Sequence, residues 1–393
     1  MATHLEIGKQ QQLFFFDDTS SGCCYFLPHG TIIYNTLQEW MRKEYKKRGF
    51  QEVKTPIMAK QSLWEQSGHW QKYKSNMFTF KRHEEDDYEM GLAAMGCPKA
   101  CVIFNHQPRS YRDLPLRLAD AGVLCRNELS GAVTSLTRNY TFCQDDAHVF
   151  CMFNQVEQEM SNAIDFLTAI YKRFDFQFIV GLSTRPDESM GTDEQWRQAE
   201  NILHMVLKNK QMDYHINDKD GAFYGPKIDI QLMDSQQRYH QCATIQLDFQ
   251  LPHNFNLQYV DNNNNHQQPV MIHRAIYGSY ERFIAILCEH YQGKWPFWLS
   301  PFQIKLLLID ANGIDYMLSI KNKLIDLGYH VHVDMDDTTI NKKIKKAQEE
   351  QYNYIVVIGK NEVKNNTIAV RYRDHKEHKT MTLDQLINEL VML

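Results

Sequence analysis

Residues 126–148 read RNELSGAVTSLTRNYTFCQDDAH. Apolar runs on either side of a polar, glycine-containing middle predict two strands, 123–127 and 141–149, separated by a polar turn. Working outward, 223–232 and 241–249 read as two more strands. VMIHRAI (270–276) predicts another, followed by an amphipathic helix in 278–292 that is capped by Ser279 and carries Phe283, Ile284 and Leu287 on one side. Upstream, Ile32, Ile33, Leu37, Trp40, Met41 and Tyr45 recur at helical spacing within 30–50. Gly49 ends that pattern before an extended run, QEVKTPIM (51–58), and 153–174 repeats a helical period. Helices and strands come in blocks, which favours an α+β fold. The polar stretch DNNNNHQQ (261–268) fits an exposed hairpin tip.

The segment WPFWLSPFQ (295–303), with Pro296 and Pro301, marks a change of pattern. Beyond it strands (303–309, 331–333, 354–358, 367–372) alternate with helices (314–327, 341–351, 383–391). This predicts a small α/β module over 299–393 behind a larger domain over 1–298.

The chain has 393 residues, 43% hydrophobic and 23% charged, so it is long enough for two or three packed domains, and its composition excludes a disordered or collagen-like protein. With 43 Lys+Arg against 48 Asp+Glu the net charge is -5, so any anionic partner must be held by local basic clusters. No secretory leader and no apolar run long enough to span a bilayer is present, which predicts a cytoplasmic protein that does not contact membranes. Nine cysteines without a CxxC pair predict reduced thiols.

Three short patterns carry chemistry: R-N-E at Arg126–Glu128, F-x-Q at Phe142–Gln144, and G-x-x-x-R at Gly278–Arg282. An Arg on a strand, an aromatic on the return strand and an Arg on a helix suit one phosphate, one base and a second phosphate. Read singly, the arginines fit surface ion pairs and Phe142 fits core packing equally well. A lone buried Cys is equally a small apolar filler, and a strand His a satisfied core residue.

In this order the three patterns resemble the motifs of class II aminoacyl-tRNA synthetases. Further stretches extend the resemblance over nearly the whole chain to the threonyl-tRNA synthetase family: QEVKTPIM, LWEQSGHW (63–70), SYRDLPLRLA (110–119), GAFYGPKIDI (221–230), QCATIQLDF (241–249) and MIHRAIYGSYERF (271–283). The resemblance implies a catalytic domain on an antiparallel sheet flanked by helices, then an α/β anticodon-binding domain. It implies ATP-dependent activation of L-threonine to threonyl-adenylate and transfer to tRNA(Thr). Cys97, His148 and His273 match the family's zinc ligands, and three protein ligands leave a coordination position open. Arg126 matches the α-phosphate contact, Arg282 the γ-phosphate contact, Phe142 the adenine platform and Glu128 an adenine-edge contact. Arg138 and Gln241 complete the ATP set, with Mg2+ expected alongside. Met95, Gln144, Asp146, Tyr224, Lys227 and Gln246 match the amino-acid side, where Asp146 accepts a hydrogen bond from the threonine hydroxyl. His69 matches a histidine near the terminal ribose, suited to a proton relay, and Glu362 and Arg371 match anticodon contacts. A homodimer is expected because 30–56 resembles the first class II motif. No editing domain is expected, so serine is expected to be charged at a detectable rate.

Some positions depart from the family. Its M-N-C-P-G-H stretch reads Met95-Gly96-Cys97-Pro98-Lys99-Ala100, its loop histidine is Thr134, and a basic position is Tyr140. Its Arg-Asn pair is Asp336-Asp337, and 300–393 holds 13 Lys+Arg, Lys376 among them, against 13 Asp+Glu. Carboxylates facing an anticodon loop repel phosphates. Two other readings therefore stand beside tRNA charging: a paralogue that passes threonine to a carrier-protein thiol or a small-molecule amine, and a non-catalytic binding relative.

Overall fold

The computed structural model describes residues 1–129, 131–233, 237–375 and 377–392, so Lys376 lies outside the described residues. Two compact units emerge, one made of Met1–Phe15, Phe26–Leu37 and Leu287–Leu393, the other of Phe16–Tyr25 and Gln38–Ile286.

The second unit is built on an eight-stranded sheet. In chain order its strands are β1 (Gln51–Glu52), β2 (Leu116–Asp120), β3 (Asp146–Cys151), β4 (Phe178–Ser183), β5 (Tyr214–Asn217), β6 (Lys227–Met233), β7 (Tyr239–Asp248) and β8 (Val270–Ala275). Across the sheet they run β5-β4-β6-β7-β8-β3-β2-β1. Pairings from β4 through β2 are antiparallel, as the resemblance implied. The edge pairs β4–β5 and β1–β2 are parallel, so the sheet is mixed at its margins.

Strands end where the backbone loses a donor or finds another partner. The run expected over 51–58 is split into Gln51–Glu52 and Met58–Lys60, because Pro56 has no N–H for a ladder. The strand expected over 223–232 starts at Lys227, just after Pro226. The strand expected over 141–149 breaks at Gln144–Asp145, and the Asp145 carboxylate there accepts the backbone N–H groups of Ile276 (2.8 Å) and Gly278 (3.0 Å). The 261–268 segment is the tip of a short hairpin, Tyr259–Val260 against His266–Gln267.

Among the described residues the longer helices of this stretch are α1 (Pro28–Lys47), α2 (Cys97–Asn105), α3 (Val156–Arg173), α4 (Asp193–Asn209) and α5 (Tyr280–Tyr291). Helix α3 buries Val156, Met160, Ile164, Leu167, Ile170 and Tyr171 on one stripe, with Glu157 and Glu159 in its first turn and Lys172 and Arg173 in its last, as the helix dipole favours. It lies against β3, β7 and β8, beside α4. Because strand side chains alternate, the α3-covered face takes Val149, Ile272 and Arg274. Arg274 is 1% exposed, bonded to Asp145 at 3.2 Å, and sits 5.0, 5.2 and 5.1 Å from the rings of Tyr45, Phe50 and Phe166.

The first unit holds a five-stranded sheet of β9 (Ile304–Leu308), β10 (Val331–Asp334), β11 (Tyr354–Ile358), β12 (Ile368–Tyr372) and β13 (His378–Met381), in the order β10-β9-β11-β12-β13. Helices α6 (Ile314–Asp326), α7 (Ile340–Glu349), α8 (Lys360–Asn365) and α9 (Leu383–Val391) accompany it. Alternate residues Ile304, Leu306 and Leu308 meet Met317, Ile320 and Leu324 of α6 and Leu386 and Leu390 of α9 in one core. Two different periods thus close on the same apolar layer. Among the described residues no helix is long and apolar enough to cross a membrane.

Candidate active site

The open face of the eight-stranded sheet is laid out by register. His148 of β3 pairs with His273 of β8, His273 with Gln246 of β7, and Gln246 with Lys227 of β6. Directly opposed residues of antiparallel strands project to one face, so this row places two imidazoles, an amide and an ammonium side by side. Cys97, the first residue of α2, completes a cluster with His148 and His273 in which the donor atoms lie within 4.8 Å of one another. All three residues are buried at 3 to 5% exposure. Tetrahedral zinc with Zn–S of about 2.3 Å and Zn–N of about 2.0–2.1 Å needs donors roughly 3.3–3.6 Å apart, which small side-chain adjustments from this cluster reach. The donor set of one thiolate and two imidazoles fits zinc.

Asp248, fully buried, accepts from or shares a proton with His273 Nε2 at 2.9 Å and takes the backbone N–H of Gln250 and Leu251. Such a carboxylate fixes the ring and its tautomer, leaving Nδ1 for a metal. Tyr224 stacks on the His273 ring at 4.9 Å and donates its hydroxyl to Gln246 Oε1 at 2.5 Å. Burial pushes the Cys97 thiol up, with Asp146 adding to the effect, and it pushes His148 down. Asp146 is raised to about 7, by burial first and then by Asp120 and Asp145. The departure at Gly96 has a local reason: a Cβ there would sit 2.5 Å from Asp146 Oδ2. Lys99, one of the two departures on α2 with Ala100, is buried with its Nζ on the Pro56 carbonyl at 3.1 Å.

A cavity of about 390 Å³ opens over this row, within the range of small-molecule sites. Its wall includes Arg126, Glu128, Arg138, Phe142, Gln241 and Arg282 on one side. Met95, Gln144, Asp146, Tyr224, Lys227 and Gln246 line it as well, together with the three candidate metal ligands. The arginines come from elements pinned to one another. Val123–Cys125 and Thr141–Cys143 form the hairpin that carries Arg126 and Phe142, with the Arg126 guanidinium 5.0 Å from the Phe142 ring. Arg138 pairs with Glu128 at 2.7 Å. Arg282 enters from the first turn of α5, where Ser279 Oγ caps its N–H at 3.2 Å as expected from the sequence. Its guanidinium donates to the carbonyls of Thr137 and Gln241, both at 2.8 Å. Burial lowers the Arg282 pKa, and Arg126 and Arg138 push the same way, so this wall holds an excess of positive potential suited to an anion. Gly278 is required before α5: its φ is +74° and a Cβ would meet the Cys242 carbonyl at 2.7 Å.

Sequence reasoning missed the carboxylate that organises the far wall. Asp229, 2% exposed, receives Lys227 at 2.9 Å, Gln241 at 2.5 Å and Ser183 at 2.7 Å. It stands two residues beyond Lys227, as Asp248 stands two beyond Gln246, so strand period alone put both on the site face.

His69 does not line the cavity. It is fully buried at the start of a short helix, with Nδ1 on Ser67 Oγ at 2.8 Å and Nε2 against Met95 Sδ at 2.9 Å. Burial, with His273 and Arg126 adding to it, lowers its pKa to about 3 and keeps it neutral. Glu362 and Arg371 belong to the other unit. There the Glu362 carboxylate accepts the Gly359 N–H at 2.9 Å at the start of α8, and Arg371 lies on β12 opposite Ile355 and His378.

Residues 78–291 match the tRNA synthetase class II core domain (G, H, P, S and T), and 301–393 match the anticodon binding domain. The chain is 50% identical over 392 residues to threonine-tRNA ligase 1, cytoplasmic, of Rattus norvegicus, covering 99% of this chain and 56% of that protein. It is 47% identical over 397 residues to threonine-tRNA ligase, cytoplasmic, of Saccharomyces cerevisiae, covering 99% and 54%. It thus spans about half the length of the curated relatives it matches. A crystal structure described as the RNA binding domain of threonyl-tRNA synthetase from Cryptosporidium parvum Iowa II superposes with a TM-score of 0.97 at 48% identity, covering 100% of this chain and 98% of that one. The chain belongs to the threonyl-tRNA synthetase family of class II aminoacyl-tRNA synthetases, and it carries that family's class II core and anticodon-binding domain.

Proposed function

We propose that the protein activates L-threonine with ATP and passes the threonyl group to tRNA(Thr). The observation that carries this reading is the convergence of Cys97, His148 and His273 on the floor of a cavity whose wall holds Arg126, Phe142 and Arg282. In activation, a carboxylate oxygen of threonine attacks the α-phosphorus of ATP, the bond from that phosphorus to the bridging oxygen breaks, and pyrophosphate leaves. Arg126 holds the α-phosphate and Arg282 the γ-phosphate, each guanidinium already anchored to backbone carbonyls. Donors held in place before the reaction stabilise developing charge without reorganising. Phe142 stacks on adenine, Glu128 meets its edge, and Arg138 and Gln241 complete that wall. Met95, Gln144, Tyr224, Lys227 and Gln246 surround the amino acid, and Asp146 accepts a hydrogen bond from its hydroxyl. Cys97, His148 and His273 would hold a zinc ion, which would supply Lewis-acid chemistry that an amino acid with a side-chain hydroxyl satisfies and valine does not. Mg2+ accompanies the ATP phosphates.

In transfer, a terminal ribose hydroxyl attacks the carbonyl carbon of the adenylate and AMP leaves. For His69 to take part in moving that proton, Met95 swings aside, as its unbranched side chain allows. Glu362 and Arg371 serve anticodon contacts, in a domain over 299–393 behind a catalytic domain over 1–298. The working protein is a cytoplasmic homodimer.

The test is threonine-dependent exchange of pyrophosphate into ATP beside aminoacylation of threonine-specific tRNA, on one preparation. Both activities are expected. Exchange without charging would move the acceptor to another nucleophile, and absence of exchange would overturn the proposal.

A further inference from the structure

Lys99 is a charged side chain to which the fold leaves almost no water. It stands in the first turn of α2, two residues after Cys97, and is 5% exposed. Lysines are buried this far only where something offsets the lost hydration. One donor direction goes to the Pro56 carbonyl at 3.1 Å. The residue before it, Thr55, donates its hydroxyl to Asp120 Oδ2 at 2.6 Å, so one short stretch of backbone brings the ammonium and the Asp120 carboxylate to the same place. Asp120 ends β2 and is directly opposed to Asp146, which opens β3. Directly opposed residues of antiparallel strands stand on one face, and like charges there repel. Helix α2 meets the pair at its start, since a Cβ on Gly96 would lie 2.5 Å from Asp146 Oδ2.

The neighbouring carboxylate is already matched: Asp145 is bonded to Arg274 at 3.2 Å and takes the N–H groups of Ile276 and Gly278. Burial works against the Lys99 ammonium, and Asp120 and then Asp146 work for it. We propose that Lys99 is a positioning residue for recognition of the amino acid: its ammonium offsets the like charge of the opposed Asp120 and Asp146, and so keeps the Asp146 carboxylate in place as the acceptor for a substrate hydroxyl. This rests on the reading that Asp146 meets the hydroxyl of threonine. It adds to that reading a cation that does not itself line the cavity, at a position where the M-N-C-P-G-H stretch of the family has glycine.

The experiment measures threonine-dependent pyrophosphate exchange, zinc per chain and the circular dichroism spectrum for the wild-type chain, Lys99→Met, Asp120→Asn and the double variant. The first change keeps the length of the side chain and removes its charge, and the second keeps an acceptor for Thr55. Lys99→Met is expected to raise the KM for threonine by about 10- to 100-fold, the scale of one charge interaction over a few ångströms at a partly buried site. The KM for ATP is expected to stay within about twofold, with zinc retained. Asp120→Asn alone is expected to move the KM for threonine by no more than about threefold, because Lys99 then still faces Asp146. In the double variant that KM is expected to return to within about threefold of wild type, a coupling that loss of packing at Lys99 would not produce. A Lys99→Met chain with an unchanged KM for threonine overturns the inference. So does a double variant as impaired as Lys99→Met or, where Lys99→Met does not fold, a double variant that does not fold either. Each of these results is read against a wild type that exchanges, so it leaves threonine activation standing. A wild-type protein without threonine-dependent exchange overturns the functional reading and this inference together.

Discussion

The two sheets use buried polar groups in opposite ways. On the eight-stranded sheet, His148, His273, Gln246 and Lys227 stand in register across four strands and face a cavity, and buried carboxylates behind them hold side chains in place: Asp248 on His273, Asp229 on Lys227 and Gln241. On the five-stranded sheet the polar groups mostly close local structure. Glu362 completes a helix start, buried Lys343 donates to the Leu308 carbonyl at 3.1 Å, and Lys346 pairs with Asp336 at 3.6 Å. Register concentrates chemistry when several strands present polar residues at the same level, whereas caps and surface pairs spend polar groups one at a time. Changes on the first sheet should therefore reach threonine activation, and changes on the second should leave activation intact and reach stability and the tRNA step.

The largest break in that contrast is expected at the metal cluster. Cys97→Ala removes the thiolate donor and should lower threonine-dependent exchange by at least about 1000-fold, the upper end for one preorganised charged group, with loss of bound zinc by elemental analysis and a native circular dichroism spectrum. Arg282→Ala should lower exchange by about 100- to 1000-fold with zinc retained, which separates the phosphate wall from the metal floor. Asp248→Asn keeps the ligands but weakens what orients His273, so a chelator competition should read a zinc affinity lower by about 10- to 100-fold.

Effects on the five-stranded sheet are expected to be smaller and of another kind. Glu362→Gln should leave exchange unchanged and shift the unfolding free energy by no more than about 1 kcal/mol. His332 contributes a pH dependence: burial, aided by His29, Lys305 and His330, lowers it from 6.5 to about 4, and its Nδ1 has no partner. Between those values the unfolded chain binds a proton that the folded chain does not, so stability from this group is intact above pH 6.5 and is lost as pH falls toward 4. Thermal unfolding of His332→Phe should show a flatter slope across that window than the wild type.

Much of this architecture was legible in the residues. The helical spacing from Ile33 to Tyr45, the Ser279 cap and the alternation after Pro301 all correspond to observed elements. Helix α4 went unread although its Thr192–Gln195 capping box and the buried Trp196, Ala199 and Leu203 were there to be seen. The metal cluster had no local signal, since Cys97, His148 and His273 sit far apart in sequence: strand register brings the two histidines together and Cys97 joins them from the start of α2. Family resemblance located them, whereas Asp229 and Asp248 went unread although each stands two residues beyond a site residue on its strand, Lys227 and Gln246.

The most direct test of the central claim is to measure zinc per chain together with pyrophosphate exchange for threonine, serine and valine on the same purified protein. The account predicts about one zinc per chain, exchange with threonine, weaker exchange with serine and none above background with valine. Zinc-loaded protein that exchanges as fast with valine as with threonine, or with no amino acid at all, would contradict it.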